Sequence, residues 1–442
     1  MSIRNTNTLI LDVYRPSIYR ISKDTCGGYG TENDFGSGLF SQSLSRIAKR
    51  SLFWPPLAAL NLLSELLSAG INAQYTNKIS DVNSDTEYLF LSTSIVAFEA
   101  EFNAALILRR NFPKLRIYVF GSILGVSKER YRSIGVTVLL GEPEFLPQIH
   151  KLNKLNLNLL SEMGLVNIPA GDPDLLSLPL WVNDKNCRSI NILFGGYKGY
   201  IPYLASRGCP YSCYEYCTYP IQQGRKVRHT NPDKVIEDLT YVNRKIGSNH
   251  FVFRDPVFSI NKKKTGLLLD RLATLDKRYN FTVETHLHDI DQGMASQLYD
   301  AKVRWVKFGV ESSSMEVKNA VDRYSLENDD QEMRVEICKK NKLKTVAMYI
   351  LCQPADNNHT CRATIDYSIK LKTNLAQYSL FTPYPGTPYY EKLDPKQLLT
   401  SNYEDFTQYK MVYQHDIFSP EKAREILGDA YRKYYLSKFS LG

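Results

Sequence analysis

Cys209, Cys213 and Cys217 fall within nine residues, in the run Arg207-Gly208-Cys209-Pro210-Tyr211-Ser212-Cys213-Tyr214-Glu215-Tyr216-Cys217. A closed structural zinc site usually takes four protein ligands in paired spacings, so this set is one ligand short. Three thiolates on a cubane iron-sulfur cluster instead leave one iron free to bind a small molecule. The three thiols are therefore expected to be metal ligands in a loop built for chemistry. Of the other five cysteines, Cys338 and Cys352 read as core thiols, and Cys26, Cys187 and Cys361 carry no recognisable spacing.

In parallel β/α architectures the working side chains lie just past the carboxyl ends of strands, which selects the next candidates. Asp255 follows a predicted strand over 250–254, where it reads equally well as a turn acid before Pro256. Glu284 ends the strand predicted over 281–284, with His286 and His288 beyond it. These histidines alternate along an extended segment and so point one way, as acid/base groups on the substrate side would. Glu311 and Ser312 lie past a strand over 305–308, Gln353 past one over 346–351, and Tyr384-Pro385-Gly386-Thr387-Pro388 past one over 378–381. In the N-terminal half, three strands end in Ser92-Thr93-Ser94, Gly121-Ser122 and Gly141-Glu142. Such endings would make a floor for a flat ligand, although small residues there also simply permit tight turns.

The elements that must position these groups form two halves. From Thr8 to about Asn167, short β-rich runs alternate with helical ones, as in a doubly wound parallel sheet of Rossmann type. Strands are expected at 9–13, 88–91, 116–120 and 136–140. Pro55 and Pro56 open a helix with Leu57, Leu60, Leu63 and Leu67 along it and Gly70 as its stop. The second half repeats strand-then-helix six times, too few for a closed eight-stranded barrel and enough for a partial (β/α)6 one. Its first strand is expected at 203–206, and Asn231 and Pro232 start the helix beyond 233. The boundaries follow: 1–170 for the first domain, 171–194 for a Pro-containing linker, 195–393 for the partial barrel and 394–442 for a helical extension.

Composition bounds the class. The chain of 442 residues is 43% hydrophobic and 23% charged, as an ordinary globular protein is. The formal charge of +9 comes from dispersed Lys and Arg, with no long basic block and no nucleic-acid-binding motif. The longest apolar stretch is interrupted by Pro55, Pro56, Asn61 and Glu65, and no basic-then-apolar segment follows Met1. A cytoplasmic protein without a membrane span, its thiols kept reduced, is expected.

The cysteine loop resembles that of radical S-adenosylmethionine (SAM) enzymes, and Gly309-Val310-Glu311-Ser312 and Pro385-Gly386-Thr387-Pro388 resemble motifs in the same part of that barrel. The N-terminal half, with its Pro-Pro-Leu helix, Ser92-Thr93-Ser94, Gly121-Ser122 and Gly141-Glu142-Pro143-Glu144, is similar to the cobalamin-binding domain that precedes the barrel in one subgroup. The stretch Ala430-Tyr431-Arg432-Lys433-Tyr434-Tyr435 is similar to that subgroup's terminal helix. Two departures stand out. The family spaces its cysteines by three residues and then two, whereas here Tyr214, Glu215 and Tyr216 make the second gap three, an extra residue that a bulge could absorb. The Asp-x-His-x-x-Gly signature of a lower axial histidine is absent, and His150 is the only histidine before residue 200.

The resemblance implies that Cys209, Cys213 and Cys217 bind three irons of a 4Fe-4S cluster, with the amino and carboxylate groups of SAM on the fourth. An electron from the cluster then cleaves the sulfonium, or the methyl group is drawn onto cobalt. Tyr216, Asp255, Glu311 and Ser312 would order SAM, and Ser92, Thr93, Gly121, Ser122, Gly141 and Glu142 would hold cobalamin without a protein imidazole on cobalt. Glu284 and His286 would face the substrate. The implied activity is methylation of an unactivated carbon in a small molecule or peptide, with electrons from a donor such as flavodoxin or ferredoxin. Two alternatives stay open: radical rearrangement, cyclisation or oxidation with the same cofactors, and a non-catalytic or zinc-stabilised binding protein. Methylthio transfer is disfavoured, because the first half holds only Cys26.

Overall fold

The computed structural model describes residues 7–51, 56–149, 156–178, 201–211 and 213–439. His150, Cys187 and most of the predicted linker lie outside the described residues. The N-terminal sheet has six parallel strands in the order Ala73–Thr76, Thr8–Asp12, Tyr88–Ser92, Arg116–Phe120, Thr137–Leu140, Leu165–Asn167. Its inner strands are apolar almost throughout because both faces are covered. Leu9, Leu11, Leu89, Leu91, Ile117 and Val119 join Phe98, Phe102 and Leu108 of helix Phe98–Asn111 in one core. The alternating partners Ile10, Phe90, Tyr118 and Phe120 pack with Leu62, Leu63 and Leu66 of helix Leu57–Ser68 in the other.

Two strands go beyond the sequence reading. Ala73–Thr76 and Leu165–Asn167 are the sheet's edges, and their four and three residues are too short to show periodicity. In helix Leu57–Ser68 the predicted core position Leu67 is 37% exposed, while Leu62 and Leu66 take the inward places. Between Asp12 and this helix the chain makes a long excursion. It includes the two-stranded hairpin Ile21–Ser22 with Thr31–Glu32 and the helix Leu39–Ser51.

That excursion fills the sheet's switch point, the crevice at the carboxyl ends of Thr8–Asp12 and Tyr88–Ser92. The Lys23 ammonium lies 2.6 Å from Asp12 and 2.8 Å from Glu101, with all three side chains almost fully enclosed. Burial disfavours the charge, yet the two carboxylates outweigh it and raise the lysine's pKa.

The second sheet is the expected open one, with all six strands parallel in the order Leu375–Leu380, Lys344–Leu351, Val303–Glu311, Asn280–Glu284, His250–Phe253, Ile201–Tyr203. The first strand ends earlier than predicted, at Tyr203. Ser206–Arg207 turns away and pairs antiparallel with Arg228–His229, pinching off the cysteine loop as a closed excursion. Asn231 caps helix Pro232–Ile246 through its side chain.

The helix Pro420–Phe439 belongs to the barrel, since Leu427, Tyr431 and Tyr434 join its core. Tyr431 donates to the Tyr378 carbonyl at 2.8 Å, and Tyr435 to that of Ala376 at 2.9 Å, so the tail covers the edge strand Leu375–Leu380. Between 394 and 419 the chain is irregular, with the short 3-10 turns Pro395–Gln397 and Tyr403–Asp405 in place of the expected helix. No helix among the described residues is long and apolar enough to cross a membrane.

Candidate active site

Gly208 opens the cysteine loop at φ +89°, where a Cβ would lie 2.3 Å from the Lys226 carbonyl oxygen. The Cys209 amide donates to the Gly224 carbonyl at 3.1 Å, closing the loop's base. The long second cysteine gap is not bulged. Cys213–Glu215 is a 3-10 turn, and the Cys217 amide donates to the Cys213 carbonyl at 3.1 Å. One helical turn thus sets Cys213 and Cys217 on the same face. The two thiols hydrogen-bond each other, which pulls the Cys213 thiol below its ordinary range. Cys209 lies near both, its pKa raised by burial.

Arg323, which sequence reasoning missed, organises the pair. Its guanidinium donates to the Cys213 sulfur at 3.7 Å and lies 3.2 Å from the Glu311 carboxylate. Glu311 occupies the left-handed region at φ +64°, a conformation that costs of order 1–3 kcal/mol and concentrates at functional sites. Its carboxylate folds back over Gly309, where any Cβ would lie 2.2 Å from Oε1. Burial raises the Glu311 pKa and Arg323 opposes it. Tyr216, held against Phe381 with ring centroids 5.8 Å apart, is the aromatic neighbour of this charge pair.

The remaining predicted residues fall into different places. Asp255 is 1% exposed and accepts from the Ala205 amide at 3.3 Å, with Ser206 beside it; burial pushes its pKa up to about 6. Ser312 bonds Thr364 at 3.2 Å and accepts from the Ser314 amide at 3.1 Å, both contacts within the packing of the fold.

His286 is engaged through both nitrogens, Nδ1 accepting from the His288 amide at 3.2 Å and Nε2 facing the Tyr324 carbonyl at 3.1 Å. Burial, with Arg323 nearby, lowers its pKa to about 4. The histidine pair does not form the extended run expected of it: His286 caps the 3-10 turn Leu287–Asp289, and both rings pack against Tyr324. Glu284 reaches toward Arg254 at 3.9 Å.

A second site lies where the N-terminal sheet meets the barrel. Ser92, Thr93, Gly121 and Ser122 line one wall of a cavity of about 70 Å³, with Arg207, Tyr219 and Gln222 opposite. No histidine lines it among the described residues. The turn Cys26–Gly28 forms its roof: Ser122 donates to the Gly27 carbonyl at 2.5 Å and Thr218 to that of Cys26 at 2.6 Å. Cofactor pockets run to about 300–1,000 Å³, so the space beneath this turn is smaller than such a pocket.

Gly141 and Glu142 stand apart from that cavity. Gly141 passes the Ile168 carbonyl so closely that a Cβ would sit 2.3 Å from it. Glu142 binds Arg207 at 2.6 Å and Arg228 at 2.5 Å, and Arg207 also holds Glu144 at 2.6 Å.

The donor set fits a cluster. Three thiols on one short loop suit a cubane, which takes one thiolate on each of three irons. The enclosed guanidinium of Arg323 offsets thiolate charge. Residues 203–367 match the radical SAM superfamily. The match runs from the barrel's first strand, at Tyr203, into helix Asn358–Lys370.

The chain is 27% identical over 234 residues to an uncharacterized methyltransferase of Pyrococcus horikoshii, covering 53% of this chain and 50% of that protein. It thus spans about half of that relative's length. In fold it is similar to the radical SAM methyltransferase TsrM from Kitasatospora setae, solved with cobalamin and a [4Fe-4S] cluster. That match has a TM-score of 0.63 at 16% identity, over 96% of this chain and 91% of TsrM. It is also similar to OxsB, a cobalamin-dependent SAM radical enzyme solved with aqua-cobalamin and SAM, with a TM-score of 0.65 at 10% identity, over 99% of this chain and 72% of OxsB. The arrangement of a Rossmann-like sheet, the radical SAM domain and a terminal helix is common to all three folds.

Proposed function

We propose that this protein is a cobalamin-dependent radical SAM enzyme that methylates an unactivated carbon of a small-molecule or peptide substrate. The observation that carries the reading is the continuous line from Cys213 through Arg323 to Glu311 at the barrel mouth, facing a second domain with a hydroxyl-lined cavity. A 4Fe-4S cluster with SAM supplies one-electron cleavage of the sulfonium, and cobalamin supplies a methyl carrier.

The chain's own groups bind, orient and enclose. Cys209, Cys213 and Cys217 would hold the cluster; the hydrogen bond with Cys217, and then Arg323, draw the Cys213 thiol below its ordinary range, and Arg323 also pairs with the Glu311 carboxylate. That carboxylate is placed to accept hydrogen bonds from the polar end of SAM, with Tyr216 excluding water behind it. Ser92, Thr93, Gly121 and Ser122 offer hydroxyl and backbone groups to cobalamin once the turn Cys26–Gly28 yields. The reducing cytoplasm suits such thiolates, and a flavodoxin or ferredoxin would deliver the electron.

The deciding experiment is anaerobic purification with absorption spectra for iron-sulfur and corrinoid. It is followed by turnover with methyl-labelled SAM and candidate substrates. Label in the product, with both S-adenosylhomocysteine and deoxyadenosine accumulating, supports methyl transfer. Deoxyadenosine with unlabelled product supports rearrangement or oxidation, and stoichiometric zinc in place of iron removes the enzymatic reading.

A further inference from the structure

Three cations and two carboxylates face one another inside the open barrel. On strand Val303–Glu311, Val306 and Phe308 are buried toward the helices, so Lys307 and Gly309 alternate onto the lumen face, and the register shifts between Gly309 and Glu311. Lys307 lies deeper in the strand than Glu311. Its register partner on the neighbouring strand is Glu284.

Arg254 comes from the end of the next strand and Arg20 from the N-terminal excursion, and both lie close enough to Lys307 to repel its charge. Arg254 has Glu284 and Asp24 carboxylates at 3.9 Å each. Arg20 donates to the Asn33 side chain at 2.9 Å and has no carboxylate partner among the described residues. The Lys307 ammonium has neither a hydrogen-bond nor an ion-pair partner among them. Burial pushes its pKa down to about 8, which leaves it largely charged at neutral pH.

This group carries one surplus positive charge, and enclosed charge without a counter-ion is costly. The space around it is kept open rather than packed: Glu284 retains 21% and Arg254 10% of their side-chain surface. Beside it stands the neutral phenol of Tyr219, held protonated by burial close to Glu284 and Arg254.

We propose that the substrate carries one carboxylate on an aromatic or similarly flat body, received by Lys307 together with Arg20 and Arg254. The proposal deepens the radical SAM reading and rests on it only for where the reacting carbon lies. One surplus charge matches a monoanion better than a phosphate dianion.

The test is calorimetric titration of phenylacetate, phenylacetamide and phenylphosphate into anaerobically purified protein, its Lys307→Met and Lys307→Arg variants included. Wild type should bind phenylacetate at least about tenfold tighter than the amide, a preference lost in Lys307→Met and kept in Lys307→Arg. Equal binding of acid and amide overturns the proposal. So does a Lys307→Met protein with native circular dichroism that keeps the preference, or phenylphosphate binding tenfold tighter than phenylacetate. Binding is read without turnover, so a protein that discriminates the acid yet never cleaves SAM would refute the enzymatic reading and leave this one standing.

Discussion

Arg207 holds Glu142 at 2.6 Å across the junction of the two domains, two residues before Cys209, the first cysteine of the loop. Both side chains are almost fully enclosed. The same guanidinium holds Glu144, and Arg228 closes the set from the other strand of the loop's pinched base. The cysteine loop is therefore anchored to the N-terminal sheet by buried charge.

Breaking that anchor from one side should be costly. Arg207→Met leaves Glu142 and Glu144 enclosed without their main cation, an imbalance worth about 3–5 kcal/mol. Urea denaturation should show a loss of that size, and iron content after anaerobic reconstitution should fall with it. Full stability together with full iron content would show that the anchor does not position the loop.

Each of Cys209→Ala, Cys213→Ala and Cys217→Ala should abolish the cluster's absorption and SAM cleavage, against about four irons and four sulfides per wild-type chain. Analysis of iron, sulfide and deoxyadenosine decides it. A triple variant retaining full iron would refute the ligand set.

Glu311→Gln should keep fold and iron while weakening SAM binding about ten- to a hundredfold, the value of one charge-assisted hydrogen bond. Gly309→Ala offers an independent route to the same defect, since its Cβ would lie 2.2 Å from the Glu311 carboxylate as now placed. Unchanged SAM affinity in both variants would put this carboxylate outside the site.

Asp255 carries a pH dependence of known sign. Its folded pKa of about 6 lies above the ordinary 3.8, so between those values the native state keeps a proton that the unfolded chain has lost. Stability should fall as pH rises through that window, by about 3 kcal/mol in all. Asp255→Asn should flatten the difference between urea midpoints at pH 4 and pH 7. A slope that survives the substitution would assign it to another group.

Cobalamin bound at the cavity beneath the turn Cys26–Gly28 should be base-off and, with no histidine of the described residues lining that space, should show no nitrogen superhyperfine splitting in the paramagnetic resonance of its Co(II) form. His150→Ala should leave the spectrum unchanged. Nitrogen splitting that disappears in this variant would place His150 on the metal.

The three cysteines and the inner strands were legible because their signals are local: a spacing of three thiols, and apolar runs ended by small residues. The edge strands were not, since Ala73–Thr76 and Leu165–Asn167 are short and partly polar. Arg323 has no local signature, because its partners Cys213 and Glu311 come from elsewhere in the fold. The ion pairs of Glu142 have no local signature either: its arginines lie 65 and 86 residues away. The left-handed turn at Glu311 follows from a contact with Gly309 that only the folded backbone reveals.

The covering of the barrel's edge by the terminal helix also sets an order of events during synthesis. Segment 34–41 of the early excursion docks on that helix: the Ser37 amide donates to the Arg424 carbonyl at 3.1 Å and Ser41 to that of Gly428 at 2.9 Å, across 387 residues of chain. A Cβ on Gly428 would lie 2.1 Å from the Ser37 carbonyl oxygen, so the two segments meet backbone to backbone. At about 5–20 residues per second, the excursion emerges from the ribosome roughly 20–80 s before its partner exists. Its seat is completed only when helix Pro420–Phe439 is released.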